Sequence, residues 1–145
     1  MKQDVKQIPP LVLAYIGDAV YELRVRRHLL DCGLGKMAKL HRQAVCYVNA
    51  ERQSQLYAQL EPLLNEDELD ILRRGRNSKS GHQPPTVSAA AYRRATGVEA
   101  LFGYWHLSGQ EQRIDMACAL LFAASATEAD KEGKRRISAK TRHLQ

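Results

Sequence analysis

The chain has 145 residues, 44% of them hydrophobic, enough for one domain with a sizeable core and short for two. Its 22 Lys and Arg outweigh 16 Asp and Glu, for a formal charge of +6 and a pI near 9.4; the expected partner is a polyanion, although charge alone does not separate nucleic acid from an acidic membrane or simple solubility. Cys32, Cys46 and Cys118, odd in number and without C-x-x-C spacing, argue against a disulfide scaffold or zinc knuckle and for a reducing compartment, and neither a membrane-length apolar run nor a secretory signal is read.

After a short polar lead, a first helix is expected from about Pro10 to Leu30, since proline is well tolerated in a first helical turn. Leu13, Ile16, Val20 and Leu23 recur at steps of three and four and predict one buried face. Asp18 falls near the edge of that face, directly after Gly17. A mid-helix glycine costs about 1 kcal/mol relative to alanine, so Gly17 is expected to allow a close backbone approach. Asp18 alone reads equally well as an exposed carboxylate; the glycine and the apolar neighbours favour one held for a purpose. The basic end, Arg24, Arg26, Arg27 and His28, suits the helix dipole.

Gly33 and Gly35 break the chain. A second helix is expected from near Met37 through Leu40, Ala44, Val48, Leu56 and Leu60 toward Pro62. His41 has no catalytic partner in sequence and is expected to serve structure or a phosphate contact. Asn65 before Glu66, Asp67 and Glu68 marks the next helix start, over residues 63–72, and the first-turn acids need no metal to explain them. Composition then changes abruptly. Arg73, Arg74, Gly75, Arg76, Asn77, Ser78 and Lys79 open what reads as an exposed basic loop, with arginine for bidentate phosphate contacts and Asn and Ser for further hydrogen bonds. A merely solvated loop is the alternative.

A helix resumes at Thr86 or at Ser88, a plausible cap, and runs to Leu107. Within it Glu99 is a second carboxylate among small and apolar residues. Burying an unpaired carboxylate is expensive, so neutralisation, a partner or a bound cation is expected, and Arg93 and Arg94 offer an ion pair. Ser108 and Gly109 form a turn before a last amphipathic helix with Ile114, Ala117 and Leu121. The reading is an all-α domain over 1–126, followed by a basic tail over 127–145. Asp18 and Glu99 could meet where two small-residue helices pack, and two hard oxygen ligands facing a basic surface suit Mg²⁺ and a phosphodiester.

Tyr15-Ile16-Gly17-Asp18-Ala19-Val20-Tyr21-Glu22 resembles the signature helix of the ribonuclease III catalytic domain, most closely that of its short, stand-alone Mini-ribonuclease III branch. Leu40-His41-Arg42-Gln43-Ala44-Val45 is similar to the family's next helical segment, Arg73 to Ser80 to the distinctive loop of the mini branch, and Thr96 to Tyr104 to the helix carrying the second essential carboxylate. The resemblance covers roughly residues 8–122, with the motifs in order. It implies the ribonuclease III helical fold, with Asp18 and Glu99 as catalytic, metal-contacting residues. It also implies a homodimer acting on double-stranded RNA with Mg²⁺, for which Mn²⁺ substitutes, leaving 5′-phosphate and 3′-hydroxyl ends. The role it implies is maturation of large-subunit ribosomal RNA ends in a bacterial cytoplasm or plastid stroma, helped by a ribosomal protein and without a membrane. Ribonuclease III proper has two further acids, four residues before the first and three before the second; Ala14 and Thr96 stand there, as in the mini branch, which leaves the number of metals open. Competing readings are a non-catalytic RNA-binding or ribosome-assembly module and an unrelated helical phosphohydrolase; the latter lacks the usual histidine or paired-carboxylate spacing.

Overall fold

A computed structural model describes residues 3–33, 35–78 and 87–123, and all regular structure among them is helical. Pro10 opens α1, Pro10–Asp31, which ends at Cys32 and Gly33; the latter takes a left-handed φ of 81°. Next come α2, Met37–Val45, and α3, Ala50–Leu60, then a 3-10 turn over Glu61–Leu63. α4, Glu66–Asn77, starts with a full capping box: Asn65 Oδ1 accepts from the Glu68 N–H, and the Glu68 carboxylate accepts from the Asn65 N–H. Ser88 caps α5, Ala89–Leu107, and a turn at Gly109 leads into a last helical stretch, α6, over 111–123.

α5 is the axis of the fold. It is buried on nearly every side from Val98 to Trp105, and α1, α3 and α4 pack around it. Tyr21 from α1 meets Phe102 edge-on with ring centroids 5.2 Å apart, and Trp105 follows one turn later. α6 is fastened from two sides: Arg24 of α1 reaches Glu111 at 2.9 Å and Asp115 at 2.6 Å, while Arg113 pairs with Glu68 of α4 at 2.6 Å. Glu68 is fully buried and also accepts from the Trp105 indole at 2.6 Å. Burial alone would raise its carboxyl; bonds from Arg113, the Asn65 backbone and Trp105 outweigh that and hold it below the usual range.

Three expectations are corrected. The buried face of α1 is Leu13, Ala14, Gly17, Tyr21, Val25 and Leu29, whereas Leu23 is 66% exposed and Ile16 and Val20 only half-buried. At the closest approach the helix turns Gly17, not Ile16 or Leu23, toward α5, because backbone contact there excludes bulk. The expected helix from Met37 to Leu60 is two helices, since Asn49 accepts from the Arg52 N–H at 2.8 Å and starts α3 anew. The intervening turn presents the Tyr47 carbonyl to the Tyr21 hydroxyl at 2.5 Å. Finally, Arg73 to Asn77 are the last turn of α4, not a loop. Lys79 and the expected tail lie outside the described residues.

Candidate active site

Gly17 and Gly103 bring α1 and α5 into backbone contact. A Cβ on Gly17 would lie 1.6 Å from the Glu99 carbonyl oxygen, and one on Gly103 would lie 2.0 Å from that of Leu13. At these two positions no side chain fits between the helices. The residue after Gly17 is Asp18, and one turn before Gly103 is Glu99, so the crossing that excludes side chains sets the two carboxylates beside each other.

Their electrostatics reflect the placement. Glu99, half-buried, has its carboxyl pushed up to about 8, by burial first and then by the negative charge of Asp18; the side-chain hydrogen bond from Gln53 opposes the rise. Asp18 opens more to solvent, and its carboxyl is raised by partial burial first and then by Glu22 one turn on. Arg94, expected as an ion-pair partner for Glu99, donates to the Ser54 hydroxyl at 3.3 Å, and Arg93 is exposed. Two acids that repel each other in a partly enclosed site suit a hard cation, which would replace the proton. Among the described residues no three side chains of metal-binding type converge, so such a cation would take much of its coordination from water. At the positions of the two missing acids, Ala14 is buried in the α1–α5 contact, and the Thr96 hydroxyl is turned back on its own helix, donating to the Tyr92 carbonyl at 3.1 Å.

The arginine segment is joined to the same helix by a second pair of glycines. A Cβ on Gly75 would lie 2.8 Å from the Gly97 Cα, and one on Gly97 would lie 2.6 Å from the Leu72 carbonyl oxygen. Gly75, read in sequence as a loop glycine, is thus buried where α4 crosses α5 just before Glu99. Arg73 is exposed. Arg74 donates to the Lys6 carbonyl at 3.1 Å and faces Asp70 at 3.6 Å; Arg76 donates to the Tyr57 hydroxyl at 3.0 Å and to Asn77 Oδ1 at 3.2 Å. Ser78 donates to the Arg74 carbonyl at 2.7 Å. His41 is exposed on α2 and lines an apolar groove of about 320 Å³ with Glu22, Arg26, Leu29 and Met37. Gln53 and Tyr57 carried no signal in sequence. Arg52, Gln53 and Ser54 in a row look like a solvated helical face, yet all three are buried.

The chain matches the Ribonuclease III domain over residues 11–110, a span that holds both carboxylates and the α4 arginines. It is 47% identical over 114 residues to Mini-ribonuclease 3 of Desulfitobacterium hafniense, covering 79% of this chain and 72% of that protein. With Mini-ribonuclease 3 of Clostridium tetani it shares 37% identity over 134 residues, covering 92% and 89%. A crystal structure of a protein from Fusobacterium nucleatum superposes with a TM-score of 0.77 at 28% identity, covering 86% of this chain and 99% of that one. A domain match across the crossing glycines and both acids, together with relatives 37% and 47% identical over most of their length, shows that the chain belongs to the ribonuclease III family, in its Mini-ribonuclease III branch.

Proposed function

We propose that this endoribonuclease hydrolyses phosphodiester bonds of double-stranded RNA at a Mg²⁺ site held by Asp18 and Glu99, leaving 5′-phosphate and 3′-hydroxyl ends. The observation that carries the reading is the backbone contact of α1 and α5, which sets two mutually repelling carboxylates at a partly open surface. When bound, a divalent cation supplies Lewis acidity toward a phosphodiester and stabilises charge developing on its oxygens. Asp18 and Glu99 hold it, and their oxygen ligation makes Mn²⁺ an effective substitute. Arg73, Arg74, Arg76, Asn77, Ser78 and Lys79 supply contacts to the duplex backbone, with Arg73 the most open of the described arginines in that segment. His41, exposed on α2, is a further phosphate contact. The family reading extends to a homodimer that matures the ends of 23S-type ribosomal RNA in the cytoplasm with the help of a large-subunit ribosomal protein. Among the described residues no helix is long and apolar enough to cross a membrane.

Buried Ala14 and inward-turned Thr96 give some support to the second reading, a duplex-RNA-binding module without catalysis. One experiment separates the two. Asp18→Asn and Glu99→Gln keep shape and remove charge, and each is expected to slow single-turnover cleavage about a thousandfold, a loss of several kcal/mol of transition-state stabilisation, with duplex binding retained. Near-parental rates at saturating Mg²⁺ end the assignment. A parent protein that binds duplex and never cuts it establishes the second reading.

A further inference from the structure

α3 turns polar side chains inward. Arg52, Gln53, Ser54 and Tyr57 are all buried, and a buried polar group is costly unless a partner satisfies it. Three of the partners are side chains at or near the site. Gln53 hydrogen-bonds to the Glu99 carboxylate, Ser54 accepts from Arg94, and the Tyr57 hydroxyl accepts from Arg76. Gln53 and Tyr57 are four residues apart and so share one helical face. We propose that α3 is the positioning element of the site: Gln53 fixes the Glu99 carboxylate for a divalent cation, and Tyr57 fixes the Arg76 guanidinium for a phosphate.

The chemistry of the two contacts matches that division. A group that orients a metal-ligand carboxylate must donate a hydrogen bond without bringing positive charge, because an arginine or lysine there would compete with the cation. A glutamine amide does this. Orientation matters more here than with a full set of acids, since Ala14 and Thr96 supply no carboxylate to share the work. Tyr57 is the mirror case. Its hydroxyl accepts from Arg76 without neutralising the guanidinium and gives its own proton to Glu61, while the ring lies under the guanidinium with the centroid 6.0 Å away. Arg74, by contrast, faces the carboxylate of Asp70. Arg76 is therefore held with its charge available.

The inference rests on Asp18 and Glu99 being the cation ligands, and its test distinguishes the two claims. Mn²⁺ binding to the full, RNA-free chain is measured by electron paramagnetic resonance, and duplex RNA binding by filter retention in metal-free buffer. Gln53→Met, which keeps volume and loses the donor, is expected to weaken Mn²⁺ binding about tenfold, as loss of a hydrogen-bonded ligand support does, and to leave metal-free duplex binding unchanged. Gln53→Asn, an amide one methylene short, moves in the same direction and covers the case of a poorly folded Met variant. Tyr57→Phe keeps the buried ring and is expected to weaken duplex binding about threefold with Mn²⁺ affinity unchanged. Parental Mn²⁺ affinity in both Gln53 variants, or both properties falling in every variant together with the melting temperature, overturns the proposal. Asp18→Asn in the same Mn²⁺ assay reports on the underlying reading: unchanged Mn²⁺ binding there overturns the metal site itself, whereas lost binding there with parental Gln53 variants overturns only the role of α3.

Discussion

The surroundings of Glu99 disfavour its charged form. Its carboxyl is pushed up to about 8 from an ordinary value of 4.5, by burial first and by Asp18 next. Between those values the folded chain keeps a proton that the unfolded chain releases, so rising pH favours unfolding through this group. Its penalty is absent below about pH 4.5, grows through the window, and is complete above about pH 8. Glu99→Gln should therefore melt above the parent at about pH 8.5 in metal-free buffer and level with it near pH 4.5, read by calorimetry. An equal difference at both would show that Glu99 is not held protonated. A divalent cation competes with that proton, so cation affinity should climb with pH across the same window. The α4 arginines separate in the same residue-by-residue way. Arg73 is exposed, whereas Arg74 braces Lys6 and Asp70. If Arg73 touches a phosphate, Arg73→Ala reduces the slope of log affinity against log salt by about one, without changing the melting temperature. An unchanged slope removes Arg73 from the interface. Arg74→Ala should instead also cost up to about 1 kcal/mol of stability.

The helix crossings decide where the acids stand. A methyl group on Gly103 would meet the Leu13 carbonyl at 2.0 Å, and backbone cannot rotate aside as a side chain can. Gly103→Ala should cost about 3 kcal/mol or more and lower the melting temperature by roughly 10 °C, with Gly35→Ala, which meets nothing within 4 Å, as the neutral comparison. A Gly103→Ala protein as stable as its parent would show that α1 and α5 do not touch. Several element starts were legible: Pro10, whose missing N–H suits a first helical turn, and Asn65 and Ser88, whose side chains accept from the backbone ahead of them. The carboxylate pair was legible through residue type and the glycine beside Asp18. Periodicity misjudged the face of α1, because apolar spacing ranks Leu23 above Gly17 although contact between backbones selects the smaller residue. The break at Asn49 was missed because apolar spacing runs through it, even though asparagine there is a ready cap. The arginines were read as a loop on composition, yet α4 carries them through because Gly75 has a helix to pack against. Gln53 was illegible because its partner lies 46 positions away.

For the molecule as a whole, the outward side of α1 and α2 is unusual in a small basic protein. Leu11, Val12, Tyr15, Leu23, Met37 and Val45 are all exposed, Tyr15 by 79%. A duplex presents two strands, and one chain supplies one carboxylate pair. This apolar side is where a second copy is expected to dock about a two-fold axis. Tyr21, on the same helix, is core and takes no part in that side. Light scattering at micromolar concentration should give about twice the 16.4 kDa chain mass, and Tyr15→Glu should shift it toward one chain while helical circular dichroism persists. A Tyr15→Glu protein that stays dimeric puts the interface elsewhere.

The Glu68 junction has an optical consequence. Trp105 is the only tryptophan in the chain, and its indole is sealed between Glu68 of α4 and Arg113 of α6. Every photon the protein emits under tryptophan excitation thus comes from the place where three helices close on one carboxylate. A denaturation curve followed by fluorescence reads the closure of that junction, whereas circular dichroism reads helix wherever it persists. Glu99 lies six residues earlier on the same helix, so a change in emission when a cation or duplex binds would mean that α5 itself has shifted.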